Sequence, residues 1–210
     1  MQKYIIAIIS LGAFFIWLHA TVVGSRHDFN RPNQGQVCIY CHTPHNANPN
    51  QNFYYLWNRV YVPTITALYN GTYTDPMTRA SWLTYACLSC HDGTQTAADM
   101  GTLYSYGPRN VGTAVQNPPD VTSGTNDSLI YSHPVDMDVA PGILPNTEFN
   151  PPSGWPYPLY NFSAQQPNAD SVMTCATCHD PHNTQVFNPP YRFLRGDTTN
   201  SQICLDCHRK

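Results

Sequence analysis

The chain is poor in charge. Only 11% of its 210 residues are charged, with two lysines, Lys3 and Lys210, and one glutamate, Glu148. A net charge of −3 leaves no basic surface for a nucleic acid, and no such partner is expected. Long helices are excluded as well, because 19 prolines and 12 glycines interrupt the chain, although they stay below the level that marks disorder. No cysteine stands outside a pair. A membrane span is missing too: the apolar run Tyr4–Leu18 has 15 residues, against roughly 20 needed to cross a bilayer.

That run follows Lys3 and precedes the small residue Ala20, the three-part layout of a secretory leader. Residues 1–20 are read as a cleaved signal peptide, with a cut after Gly24 or an uncleaved anchor as alternatives. The expected location is extracellular or at the cell surface, with no stable membrane insertion after cleavage.

Eight cysteines form four pairs with a two-residue gap: Cys38 and Cys41, Cys87 and Cys90, Cys175 and Cys178, Cys204 and Cys207. A histidine follows each pair at once, at His42, His91, His179 and His208. Exported chains often carry even numbers of cysteines as disulfides, and four such pairs could build two four-thiolate zinc sites. Neither arrangement needs a histidine after every pair. Covalent haem attachment does, because two thiols add to the vinyl groups of one porphyrin and the next residue sets its imidazole under the iron. Four covalently bound haem c groups are expected on these cysteines, with the four histidines as proximal axial ligands.

Nine histidines occur in all. Apart from His19 of the leader and the four proximal ones, His27, His45, His133 and His182 remain, one for each haem. They are expected as distal ligands, so that histidine fills every axial position. Met77, Met100, Met137 and Met173 are alternative ligands that would raise the potentials, but their spacing does not ask for it. With no iron left open, the chain carries electrons and does no bond chemistry, and no catalytic residue is assigned.

The order of these features repeats. His27, "CIYCHTPHN" (38–46) and "CLSCH" (87–91) are followed by His133, "CATCHDPHN" (175–183) and "CLDCH" (204–208). Each long block precedes an aromatic and arginine run, "NFYYLWNR" (52–59) and "NPPYRFLR" (188–195). Two diverged dihaem modules, 21–110 and 111–210, are expected within one compact tetrahaem domain. Within each long block a proline fixes a turn between the two histidines. His45 and His182 are therefore expected to reach a neighbouring iron.

So little polypeptide per haem makes the porphyrins themselves the core. The expected fold is a multihaem cytochrome c, mostly irregular chain with short helices and a few short β-strands wrapped around a haem stack. Strands are predicted over 60–69 and 128–139, and loops over the cysteine-free stretch from Asp92 to Thr174, anchored by His133. The arm carrying His27 could fold onto its own haem or reach a neighbouring subunit, and the residues leave both open. Asn70, Asn126 and Asn161 match the N-glycosylation pattern. Arg195-Gly196-Asp197 reads as a polar turn, and Asp136 and Asp138 as a solvated strand face rather than metal ligands.

Several of these stretches occur together in one known family. "GSRHDF" (24–29), "GQVCIYCHTPHN" (35–46), "LWNR" (56–59), "CLSCHDGT" (87–94), "SHPV" (132–135) and "CATCHDPHN" (175–183) resemble the extracellular tetrahaem cytochromes that polymerise into filaments, the microbial cytochrome nanowires. The resemblance implies bis-histidine haems stacked in an unbroken chain that continues across subunit interfaces. It further implies a homopolymer of identical subunits, electron exchange with other redox proteins or extracellular acceptors, and room for a ligand donated between subunits. The sequence reading is thus the repeating subunit of an extracellular conductive filament. A monomeric periplasmic or membrane-tethered tetrahaem shuttle is the alternative, as is a multihaem reductase with one open haem.

Overall fold

The Cys-x-x-Cys-His spacing places residues i, i+3 and i+4 on one side of a helical turn, and helical turns are where the motifs lie. A computed structural model describes residues 22–29, 36–48, 56–60, 67–68, 71–72, 82–105, 107–109, 111–112, 115–121, 129, 132–139, 144–145, 147–160, 171–182 and 193–209. Among them are the helices α1 (Trp82–His91), α2 (Cys175–Cys178) and α3 (Gln202–Leu205), with a 3-10 turn at Val37–Tyr40. In three motifs the histidine N–H donates to the carbonyl of the first cysteine: His42 to Cys38 at 2.8 Å, His179 to Cys175 at 3.0 Å and His208 to Cys204 at 2.8 Å. The remaining motif forms the second half of α1.

Local chemistry explains the lengths of these elements. Helix α1 contains neither proline nor glycine, and it stops just before Gly93, whose φ of 83° only glycine adopts cheaply. The four residues of α2 are held by a reciprocal cap. Thr174 Oγ1 accepts from the Ala176 N–H at 3.1 Å, and Thr177 Oγ1 accepts from the Thr174 N–H at 3.0 Å.

The strands are two residues each and pair antiparallel: β1 (Ala67–Leu68) with β2 (Gly71–Thr72), β3 (Thr102–Leu103) with β4 (Gly107–Pro108), and β5 (Met137–Asp138) with β6 (Val172–Met173). The strand predicted over 128–139 shrinks to β5. Pro134 cannot donate to a ladder and Asp136 turns the chain with a φ of 56°, so the run is not extended throughout. Of the strand predicted over 60–69, β1 is present at its end, and 61–66 and 69 lie outside the described residues. The leader 1–20 and Asn70, Asn126 and Asn161 also lie outside them. Among the described residues no helix is long and apolar enough to cross a membrane.

Among the described residues, buried side chains gather in three small clusters. Phe29, Tyr40, Met100 and Leu103 form the first, Leu88 and Leu129 the second, and Val139, Trp155 and Met173 the third. Motif cysteines edge two of these clusters: Cys41 and Cys90 pack on the first and Cys207 on the third. Polar contacts join the pieces. Buried Thr84 of α1 donates from Oγ1 to Asp136 Oδ1 at 2.8 Å and accepts from the Cys175 N–H at 3.5 Å, so one hydroxyl ties α1 to the turn before β5 and to α2. Asp136 is therefore buried, not on a solvated face, whereas Asp138 is exposed. Thr84→Val is expected to lower stability by about 1–3 kcal/mol, because it leaves the buried Asp136 oxygen short of a donor. Denaturant unfolding of the haem-loaded protein measures it; an unchanged midpoint contradicts the role given to this hydroxyl.

Candidate haem-binding site

Around the first and third motifs the chain builds the same unit twice. After each Cys-x-x-Cys-His turn, a later segment returns and pairs with the histidine: His42 bridges Trp57, and His179 bridges Leu194. The flanking bonds match one for one. Thr43 N–H donates to Leu56 O at 2.8 Å, and Asp180 N–H to Phe193 O at 2.7 Å; Asn58 N–H donates to Cys41 O at 2.8 Å, and Arg195 N–H to Cys178 O at 2.9 Å. Leu56 and Phe193 share a positive φ, 55° and 71°. Even a side-chain bond recurs, from Asn58 Nδ2 to Ile39 O at 2.7 Å and from Arg195 Nε to Ala176 O at 2.9 Å. Both returning runs end in arginine, but the two arginines are not equivalent: Arg195 occupies the place of Asn58.

None of the eight cysteines is paired in a disulfide, and Cys38 and Cys204 are exposed. Burial, opposed by the Arg59 guanidinium, pushes the Cys41 thiol up to about 12. Cys207 is also pushed up to about 12, by burial and then by the nearby Cys178. Cys87 is raised by its hydrogen bond to Cys175 and by burial, which places thiols of the second and third motifs side by side. Among the described residues no group of three or more histidine, cysteine or acidic side chains forms a cage for a metal ion.

The histidines come together in pairs that join distant parts of the chain. The ring centres of His27 and His91 are 6.0 Å apart, those of His42 and His182 6.1 Å, and those of His133 and His208 6.4 Å. Two imidazoles bound to opposite faces of one metal, each through a nitrogen about 2 Å from it with the ring centre roughly 1 Å further out, sit about 6 Å apart. The ring planes cross at 55°, 28° and 84°, a freedom that such a pair allows because each ring turns about its own metal–nitrogen bond. Every pair combines one motif histidine with one of the remaining histidines. These separations fit a haem iron between the rings. His182 lies against His42 of the other block rather than against His179 of its own. His45 is exposed, with its carbonyl accepting from Thr43 Oγ1 at 2.7 Å, and the structure brings neither it nor His179 into ring contact with another imidazole.

Neighbouring groups fix the ring nitrogens. His91 Nδ1 lies 2.9 Å from Pro119 O and His133 Nδ1 3.0 Å from Pro134 O; a proton on Nδ1 that donates to the carbonyl leaves the Nε2 lone pair available to a metal. Phe193 stacks on His27 at 4.7 Å and 17°, Phe149 packs on His208 at 4.7 Å, and Trp57 meets His42 edge-on. The arm carrying His27 folds back on its own chain, with Gly24 N–H donating to Asp28 Oδ2 at 2.8 Å and Phe29 in the first cluster. Met100 and Met173 are packed into clusters, and Asp197 caps Thr199 N–H at 2.9 Å, which makes 195–197 a structural turn.

Sequence reasoning missed the partners of these rings. The aromatic runs after each block were visible, but their register on the histidines was not, and nothing in the sequence marked Arg59 as buried.

A family model described as a doubled CXXCH motif matches residues 166–210, less than half of the chain. The doubled motif indicates covalent haem c binding. It supports a multihaem c-type cytochrome and haem-based electron transfer in general. A comparison with curated proteins finds no match.

Burial lowers His27 from the ordinary 6.5 to about 4, and the fields of His91, His179 and His182 push it the same way. Burial and His91 lower His179 too. Both rings stay neutral, the metal-binding form, at neutral pH. The unfolded chain takes up the proton first on acidification, so stability is present above about 6.5 and falls toward pH 4. The denaturation midpoint measured against pH checks this: it should be flat above 6.5 and decline below it, and a rise on acidification contradicts it.

Proposed function

We propose that the chain is an electron carrier holding four haem c groups, each between two histidines, and that it serves as the repeating subunit of an extracellular conductive filament. The observation that carries the reading is the set of three imidazole pairs near 6 Å, each joining a motif histidine to a spare one. In this assignment His27 is the partner of His91, His182 of His42 and His133 of His208. His45 and His179 remain for the fourth haem, attached at Cys175 and Cys178. The two long blocks then exchange their second histidines, and each half keeps its leading histidine for its own last motif. Haem c supplies a one-electron ferric–ferrous couple, and histidine rather than methionine on both faces keeps its potential low.

The side chains hold and screen. Pro119 and Pro134 carbonyls set the tautomers of His91 and His133, and Phe193, Phe149 and Trp57 cover the rings against water. With both faces of each iron taken, no position is open to a substrate. The filament, the export by residues 1–20 and the exchange with other redox proteins or extracellular acceptors rest on the sequence resemblance and the leader pattern.

His27→Ala should keep four attached haems by intact mass while one iron loses its low-spin signal in low-temperature electron paramagnetic resonance. An unchanged low-spin spectrum removes His27 as a ligand, and a high-spin signal in the unaltered protein that shifts with nitrite favours a reductase. Electron microscopy of the secreted fraction should show filaments. Dispersed particles at high concentration contradict the polymer.

A further inference from the structure

Arg59 is 1% exposed, a guanidinium inside the first cluster. Its Nη1 donates to Met100 O at 2.8 Å and its Nη2 to Asp99 O at 2.9 Å, while Nε is buried without a partner. Its backbone bridges Leu103, and Met100 and Leu103 belong to the cluster on which Cys41 and Cys90 pack. The charge accordingly acts on a thiol of the first motif and one of the second. Carbonyl oxygens thus receive both terminal nitrogens, and the Cys90 side chain is hydrogen-bonded to the guanidinium as well. Among the described residues no carboxylate forms an ion pair with it. The nearby Asp99 gives its carboxylate to the Thr96 N–H and hydroxyl at 2.8 and 2.7 Å, and Asp92 accepts from Thr94.

The second block treats the equivalent place differently. Arg195, in the position of Asn58, is paired through Nη1 with Asp180 Oδ2 at 3.1 Å, and Asp180 stands where the first block has Thr43. The third motif therefore sees an ion pair of no net charge, whereas the guanidinium buried beside the first motif has, among the described residues, no carboxylate in ion-pair contact. The buried Asp136 stands beside Cys87 and Cys175, which adds the opposite sign toward the third motif.

We propose that Arg59 sets the reduction potential of the haem on Cys38 and Cys41 above that of the haem on Cys175 and Cys178, making two structurally equivalent sites redox-inequivalent. The proposal rests on the haem reading above. Reduction adds one electron from an external one-electron donor, ferric iron becomes ferrous, and no bond forms or breaks. The site loses one positive charge in that step. A fixed cation in a poorly solvated interior disfavours the more positive ferric state, so it raises the potential. The Asp180 carboxylate cancels that effect for Arg195. An electron shared among the haems accordingly resides more on the first block than on the second.

Spectroelectrochemical titration of the haem-loaded full chain tests this, with haem number by intact mass and ligation by low-spin absorption read on the same samples. Arg59→Met should move the highest-potential component down, by about tenfold in the ferrous-to-ferric ratio at fixed potential, or about 59 mV for one electron. Arg59→Lys, which keeps the charge, should restore most of it. Asp180→Asn leaves an acceptor for the His182 N–H but frees Arg195 and removes the carboxylate 3.7 Å from His182 Nδ1, so it should move the components of the third and first haems up. Unchanged potentials in Arg59→Met with four haems attached overturn the proposal, as does a lysine variant shifted as far as methionine. If Arg59→Met fails to load its haems, Asp180→Asn decides, and unchanged potentials there overturn the inequivalence. Fewer than four haems or high-spin iron in the unaltered protein would instead contradict the proposed function, a different readout from the potentials.

Discussion

One backbone hydrogen bond organises the rest: the histidine N–H closing onto the carbonyl of the cysteine four residues earlier. It turns each Cys-x-x-Cys-His stretch into a helical turn in which two thiols and an imidazole share a side. The turn needs little help from its surroundings, so it forms even where, among the described residues, the helix around it is only four residues long. Where local capping is available, as at Thr174 and Thr177, four residues suffice. Everything else can be irregular provided that it delivers second histidines and covers the rings.

The cover is provided by returning segments rather than by sheets or bundles, with Trp57 against His42 and Phe193 against His27. A residue with positive φ, Leu56 or Phe193, bends the chain back so that the following residues bond to the motif just made. The same unit serves both halves, and variation enters at two of its positions: Asn58 against Arg195 and Thr43 against Asp180. Those changes leave the backbone contacts intact while altering the charge beside the third motif. Arg59 adds a buried cation beside the first. Charge is scarce in this chain, so each buried charge weighs more.

Among the described residues the buried side chains form three small clusters, two of them edged by motif cysteines. The Thr84 hydroxyl and the thiol contact between Cys87 and Cys175 hold the second motif to the third. A porphyrin on each cysteine pair would add apolar surface to what these side chains bury.

The cysteine and histidine spacing by itself determined the attachment chemistry, the helical turn at each motif and the set of eight candidate ligands, because each follows from a few adjacent residues. The repeat of the two blocks was legible too, although the residue-by-residue register of the two aromatic and arginine runs was not: Arg195 takes the place of Asn58. The 128–139 strand failed because extended-chain preference competes with Pro134 and with the buried turn at Asp136. Which histidine meets which was decided only by the tertiary structure. His42 and His182 are 6.1 Å apart in space with most of the chain between them, and no local preference encodes such a meeting. Burial of Arg59 was decided the same way, since an arginine beside aromatics suits a surface equally well until two carbonyls and a packed cluster enclose it.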